Sequence, residues 1–143
     1  MGYRALMSGL LMIAALGTAG CVVHTNDDSS GSAPVVVQSN GTLTVQWTVN
    51  GSTDPSVCTQ SKVGDISIDI FDRSGASVGN FRQDCATFST GITLAPGAYG
   101  GGSAELLGYE GEVRTTAVDI APFTIYGSDD VVSPINFPAD SFY

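Results

Sequence analysis

The chain contains few basic residues and almost no histidine. Of its 143 residues, five are Lys or Arg and 14 are Asp or Glu, which gives a formal net charge of −9. Lys62 is the only lysine and His24 the only histidine. So acidic a protein repels nucleic acids and anionic headgroups, and we therefore expect neither as a partner.

The shortage of histidine also excludes several kinds of active site. A catalytic serine needs a base held beside it, and His24 lies in a polar segment without an apolar pattern. A zinc site needs several histidine or thiolate ligands, and the aspartates do not have the spacing of an EF-hand. The sequence therefore predicts no catalytic residue, no metal site and no cofactor, and we expect a protein that is not an enzyme.

Abundant carboxylates leave one enzymatic alternative open, because two carboxylates together can hydrolyse a glycoside. The candidates are Asp65, Asp69, Asp72 and Asp84. The local pattern places Asp69 on an outer strand face and Asp72 in a turn, where aspartate is favoured for backbone reasons. A glycoside hydrolase is therefore the least favoured of the functions considered.

The one long hydrophobic stretch lies at the N-terminus. Arg4 precedes an apolar run from Ala5 to Leu16, and the run ends in Thr18-Ala19-Gly20-Cys21, which is the layout of an export signal. At Cys21 the sequence resembles the lipobox of bacterial lipoproteins. The resemblance implies that residues 1–20 are a signal peptide that is removed, and that Cys21 becomes an acylated first residue that anchors the protein to a membrane.

Two other interpretations of this leader remain open. Cleavage after Ala19 would leave an unanchored protein, and retention of the leader would leave a membrane helix. A spanning helix needs about 20 consecutive apolar residues, and Ser8, Gly9 and Gly17 interrupt a shorter run. In the lipoprotein interpretation Val22 follows the lipid site, where inner-membrane lipoproteins of enteric bacteria carry aspartate, so we expect the outer membrane.

The three cysteines agree with a lipid on Cys21, because an odd cysteine in an exported protein requires an explanation. If Cys21 is acylated, Cys58 and Cys85 remain as a pair, and they would be oxidised outside the cytoplasm. The pair has no Cys-x-x-Cys spacing of the kind that redox sites use. The sequence therefore predicts a structural disulfide between Cys58 and Cys85.

Beyond Cys21 the sequence indicates a tether and one folded domain. The segment from His24 to Pro34 is small and polar, so residues 21–40 are predicted to be a flexible tether, whereas residues 41–143 show the period-two alternation of half-buried strands and no helical period. The alternation predicts seven or eight strands, at residues 42–49, 66–71, 76–84 (with Val78 or Phe81 inward), 88–94, 99–107, 113–117, 123–125 and 131–137. Short strands with turn sequences between them indicate an all-β, antiparallel sandwich of the immunoglobulin-like or transthyretin-like kind.

Two segments of this domain resemble a known family. The run from Ile66 to Gly75 and the later Leu94-Ala95-Pro96-Gly97-Ala98-Tyr99 resemble the carboxypeptidase-regulatory-like and transthyretin-like domains of exported proteins. The chain departs from that family at the triplet Gly100–Gly102, where the family usually continues with alternating valines. The resemblance implies a non-catalytic module outside the cytoplasm.

The sequence thus predicts a lipid-anchored envelope lipoprotein that serves as a structural or interaction module. Its partners would be a membrane, reached through Cys21, and an envelope protein or glycan. A carbohydrate-binding module is the main alternative, with Tyr99, Tyr109 and Tyr126 at turns as the residues that could stack on a sugar. The ligand and the oligomeric state are not indicated by any pattern in the chain.

Overall fold

The structure, a computed structural model, describes residues 38–143, and over this range the chain forms eight β-strands and one short α-helix. The predicted signal peptide, the predicted lipid site at Cys21 and the predicted tether up to residue 37 lie outside the described residues. The elements are β1 (Gly41–Val49), α1 (Pro55–Gln60), β2 (Val63–Asp72), β3 (Ser77–Asp84), β4 (Ser89–Leu94), β5 (Gly97–Gly108), β6 (Val118–Ile120), β7 (Phe123–Ile125) and β8 (Asp130–Phe137), with 3-10 turns at Cys85–Thr87 and Ala139–Ser141.

The strands form two sheets, which confirms the predicted all-β sandwich. The smaller sheet has the order β4-β1-β8, and the larger has the order β3-β2-β5-β6, with β7 also paired to β5. All pairs are antiparallel except β1 with β8, which run parallel. The sandwich is therefore predominantly antiparallel, and the parallel pair of β1 with β8 is a feature that the sequence did not predict. A parallel pair needs a long connection, and β1 and β8 have the rest of the domain between them.

The core lies between the two sheets and follows the predicted alternation. The inward residues of β1 (Leu43, Val45, Trp47 and Val49) and of β2 (Ile66, Ile68 and Ile70) are all at most 1 % exposed. Trp47 donates a hydrogen bond from its indole Nε1 to the carbonyl oxygen of Cys85 at 2.9 Å. The buried indole therefore has its polar group satisfied while its ring fills the core.

The glycine triplet lies inside β5, where it permits close approach of neighbouring backbone. Phe71 pairs with Gly101 and Asp72 pairs with Tyr99, so Gly100 is the extra residue of a β-bulge. A Cβ on Gly102 would clash with the backbone carbonyl oxygen of Asp69 on β2. The larger sheet therefore requires glycine at position 102.

Two local expectations were inaccurate, and a third, that Val78 or Phe81 is the inward residue of β3, is confirmed for Phe81. A helix was not expected after the leader, yet α1 forms within the loop after β1, with Pro55 in its first turn and Asp54 capping it by accepting from the backbone N–H of Ser56. Residues 113–117 make only isolated bridges, and the strand begins at Val118. The inward residue of β3 is Phe81, because Val78 is 47 % exposed while Phe81 packs against the core.

Candidate functional site

The two outer faces of the sandwich differ in charge. On the larger sheet, the strand pairing places Asp65, Asp69, Glu105 and Asp119 on the face away from the core. Arg82 shares this face and forms an ion pair with Asp65 at 2.9 Å. The larger sheet therefore presents a predominantly acidic surface.

The outer face of the smaller sheet is almost uncharged. It carries hydroxyl, amide and small apolar side chains, and Asp130 is its one ionisable residue within the strands. By strand pairing its members are Thr42, Thr44, Gln46 and Thr48 on β1, Ser89, Gly91 and Thr93 on β4, and Val132, Pro134 and Asn136 on β8. One end of this face contains a surface depression.

We call this depression the small-sheet groove. Its volume is about 650 Å³, and residues 46–48, 87–89 and 134–136 line it together with Thr53. The volume lies within the range of roughly 300–1,000 Å³ that small-ligand sites occupy. None of the lining residues is ionisable. The groove is thus a neutral site in a strongly acidic protein.

One wall of the groove is held in a strained conformation. Phe88, which precedes β4, has a left-handed backbone with φ of 54°, and its side chain is only 9 % exposed. Its carbonyl oxygen accepts a hydrogen bond from the backbone N–H of Trp47 at 3.1 Å, and the two rings lie 6.4 Å apart. A left-handed residue with a side chain costs about 1–2 kcal/mol and persists only where its surroundings fix it. The wall is therefore preorganised by contacts with Trp47.

The predicted disulfide is present behind this wall. Cys58 on α1 is bonded to Cys85, and the Cα atoms of the two residues are 6.1 Å apart. Both cysteines are buried, at 3 % and 0 % exposure. Because Cys85 also accepts the indole hydrogen bond of Trp47, the disulfide braces the segment that leads into Phe88.

The polar groups of the groove are partly satisfied and partly free. The Oδ1 atom of Asn136 accepts from the hydroxyl of Thr48 at 2.7 Å and from the backbone N–H of Gly51 at 2.9 Å. Because an N–H can only donate, the Gly51 contact fixes which end of the amide is oxygen. Within residues 38–143, the Nδ2 of Asn136 and the side chains of Gln46 and Ser89 make no hydrogen bond to the protein. They are therefore free to bind a polar ligand.

The three tyrosines predicted as stacking residues do not form one site. Tyr99 is largely engaged by the protein, since its hydroxyl donates to the carbonyl oxygen of Ala95 at 2.8 Å and its ring stacks on Phe123 with centroids 5.0 Å apart. Tyr109 and Tyr126 are 68 % and 69 % exposed. The three residues line three different hollows of about 310–390 Å³. Tyr99 lies near the start of β5 and Tyr109 directly follows its last residue, so the two are roughly 30 Å apart at about 3.3 Å per residue.

The four candidate carboxylates are spread over turns and the acidic face. Asp72 accepts hydrogen bonds from the backbone and hydroxyl of Ser74 and from the N–H of Ala76. The hydroxyl of Ser74, followed by the N–H of Ala76, lowers the pKa of Asp72 from its ordinary value. Asp69 lies on the outer face opposite Asn80. These two carboxylates therefore lie in a turn and on an open face rather than in a cleft.

Asp65 and Asp84 are the only two of the four that lie together, as a directly opposed pair on β2 and β3. Both line the hollow that contains Tyr109. Each has a structural role, because Asp65 pairs with Arg82 and Asp84 accepts from the N–H of Ala86 at the start of the 3-10 turn. Both are also at the surface, whereas a general acid gains its proton affinity from burial.

Among residues 38–143, no group of three or more acidic, histidine or cysteine side chains is placed to hold a metal ion. No helix within this same range is long and apolar enough to cross a membrane. Comparison of the chain with family models, with curated proteins and with solved structures finds no match.

Proposed function

We propose that this protein is a lipid-anchored lipoprotein of the bacterial envelope whose β-sandwich binds a ligand in the small-sheet groove without catalysing a reaction. The anchor is proposed from the resemblance of the leader to a lipobox, with Cys21 as the acylated residue. The binding role is proposed from the groove, whose lining offers free hydrogen-bonding groups and no ionisable side chain.

The observation that carries this proposal is the position of the groove relative to the N-terminal end of the domain. The predicted tether leads to Gly41, where β1 begins, and the groove lies at residues 46–48 near the other end of the same strand. The separation is roughly 20 Å at about 3.3 Å per residue. An anchor on Cys21 would therefore leave the groove on the part of the domain farther from the attachment point.

The predicted tether limits the distance between the domain and the membrane. Residues 22–40 span at most roughly 65 Å when fully extended. The acidic outer face would be repelled by an anionic membrane surface, since unlike the groove it carries several carboxylates. We propose the outer membrane as the location because Val22 follows Cys21.

The kinship with transthyretin-like domains is also a proposal. The hydrogen bond from the Tyr99 hydroxyl to the Ala95 carbonyl supports it, because it closes the corner that the segment from Leu94 to Tyr99 shares with those domains. The parallel pairing of β1 with β8 gives a test of that kinship, because related domains should contain the same pair.

The anchor is tested by metabolic labelling with an alkyne fatty acid. We expect the wild-type protein to be labelled and to fractionate with membranes, and we expect Cys21→Ser to lose both properties. A Cys58→Ser variant is the matched control, because it changes a cysteine that is predicted to carry no lipid. Equal labelling of wild type and Cys21→Ser would refute the anchor.

A further inference from the structure

We infer that the small-sheet groove binds a neutral carbohydrate, recognised by the amide of Asn136, the amide of Gln46 and the hydroxyl of Ser89. This inference rests on the proposed function, since it names the ligand class of the same groove. This site differs from the one predicted from the sequence, because the three tyrosines lie in separate hollows.

The charge of the groove selects against ionic ligands. No lining residue is ionisable, so an anion would find no cation there and a cation would find no carboxylate. An anion would in addition approach a protein of formal net charge −9. A ligand that has no net charge escapes both penalties.

The polar groups of the groove select against a purely apolar ligand. An acyl chain would bury the free amides of Gln46 and Asn136 and the hydroxyl of Ser89. These groups would lose their hydrogen bonds to water, and the acyl chain offers no hydrogen bond in return. Burial of a polar group without a hydrogen bond costs roughly 1–3 kcal/mol in proteins. The lining instead combines these donors and acceptors with the apolar surfaces of Phe88 and Pro134, which suits the hydroxyl groups and C–H faces of a sugar ring.

The central strand of the groove, β1, offers no free edge to an extended peptide, because it lies between β4 and β8. A peptide that adds to a sheet needs a free strand edge. Here the N–H of Trp47 donates to Phe88 and the N–H of Val49 donates to Ser52, while β8 pairs with the other side of β1 along its length. Recognition at this end of β1 must therefore use side chains, and the free side chains are amides and a hydroxyl.

Direct contact with these side chains is tested with the full chain, purified in detergent, on an array of neutral and acidic glycans. A neutral glycan retained on the array is then titrated against variants. Gln46→Ala removes an exposed side chain that makes no hydrogen bond within residues 38–143, so the fold should be unchanged. At about 0.5–1.5 kcal/mol per neutral hydrogen bond, we expect Gln46→Ala or Ser89→Ala to weaken binding about two- to thirteenfold.

Thr93→Ala is the matched control, because Thr93 is exposed on the same face of β4 but lies outside the groove. It should bind the glycan as the wild type does. Binding of a neutral glycan that Gln46→Ala leaves unchanged and Tyr109→Ala or Tyr126→Ala abolishes would overturn the groove as the carbohydrate site.

Two further results separate this inference from the proposed function. If only acidic glycans or peptides bind, and Gln46→Ala weakens that binding, the neutral-carbohydrate assignment fails while the groove remains a binding site. If neither the array of neutral and acidic glycans nor a peptide library gives binding that depends on Gln46 or Ser89, the groove does not bind such ligands. In that case both the neutral-carbohydrate assignment and the proposed binding function fail. The lipid anchor is measured independently through Cys21.

Discussion

Loss of the Cys58–Cys85 cross-link should lower the free energy of unfolding by about 3.5 kcal/mol. The two cysteines are 27 residues apart in the chain. In the chain-entropy model, closing a loop of this length removes about 12 cal/mol/K from the entropy of the unfolded state, which is about 3.5 kcal/mol at 25 °C. For a domain whose net stability is on the order of 5–10 kcal/mol, the cross-link would be a large part of the total.

Trp47 provides the assay, because it is the only tryptophan in the chain and is 1 % exposed in the folded domain. Its emission should shift to longer wavelength when denaturant exposes the indole. Comparison of oxidised with reduced wild-type protein isolates the cross-link, since both sulfur atoms stay in place. We expect the reduced protein to unfold at lower denaturant concentration and its melting temperature to fall by roughly 15 °C.

A double variant, Cys58→Ala with Cys85→Ala, serves as the second arm. It removes the cross-link and also two buried sulfur atoms, so it should be at least as unstable as the reduced wild type. If reduction and the double variant both left the unfolding midpoint unchanged, the disulfide would contribute nothing to stability and the reasoning from chain entropy would be refuted.

Three further changes test the packing, the backbone and the turns by chemical denaturation. Thr115→Val should cost about 1–3 kcal/mol, because it leaves the backbone N–H of Leu106 without the Thr115 hydroxyl that accepts from it at 3.0 Å; no loss would show that this buried contact is unimportant. Gly102→Ala should prevent normal pairing of β5 with β2, whereas Gly91→Ala, whose new Cβ meets only the methyl of Thr42 at 3.3 Å, should fold; the reverse order would contradict the close approach. Asp72→Asn should reduce the loss of stability that the wild-type protein shows below about pH 4. Hydrogen bonds lower the pKa of Asp72 in the folded state, so the stability that they contribute is present above the ordinary pKa and is lost as pH falls through the lowered pKa. Identical stability profiles of the variant and the wild type in acid would refute this.

The central strands could be predicted because their information is local. In β1, each inward residue alternates with a threonine or glutamine, and the same period continues through Ile66, Ile68 and Ile70 in β2. A strand with one buried face shows this alternation directly in its sequence. The turn at Asp72 was likewise readable, because its side chain bonds to the backbone two and four residues later.

The elements that were missed have no such local signal. The helix α1 has six residues and buries only Cys58, so it is too short for a helical period to show. The segment at 113–117 alternates like a strand. However, the backbone N–H of Leu106 donates to the buried hydroxyl of Thr115, whereas in a regular strand pair it would donate to a backbone carbonyl oxygen. The parallel pairing of β1 and β8 joins residues about 90 positions apart, which no short window contains.

The groove was missed for the same reason. Its free polar groups, Gln46, Ser89 and Asn136, come from three strands and from widely separated parts of the sequence. Phe88 has no property in the sequence that predicts a left-handed backbone, since bulky residues rarely adopt one. Exposed tyrosines at turns can be identified in the sequence, but the sequence does not show that the fold places these three in separate hollows.

The contrast between the two outer faces gives the groove hypothesis a further consequence. Carboxylates crowd the face of the larger sheet, whereas the groove is separated from them by the thickness of the sandwich, about 10 Å between sheets. A neutral ligand has no charge for this field to act on, whereas a cation held by the carboxylates is attracted by a field that salt screens within about 8 Å at physiological ionic strength. Binding of a neutral carbohydrate should therefore be insensitive to salt, while any ligand held by the acidic face should be released as salt rises. A neutral glycan whose binding depended on Gln46 and yet fell steeply with salt would mean that the acidic face, and not only the groove, takes part.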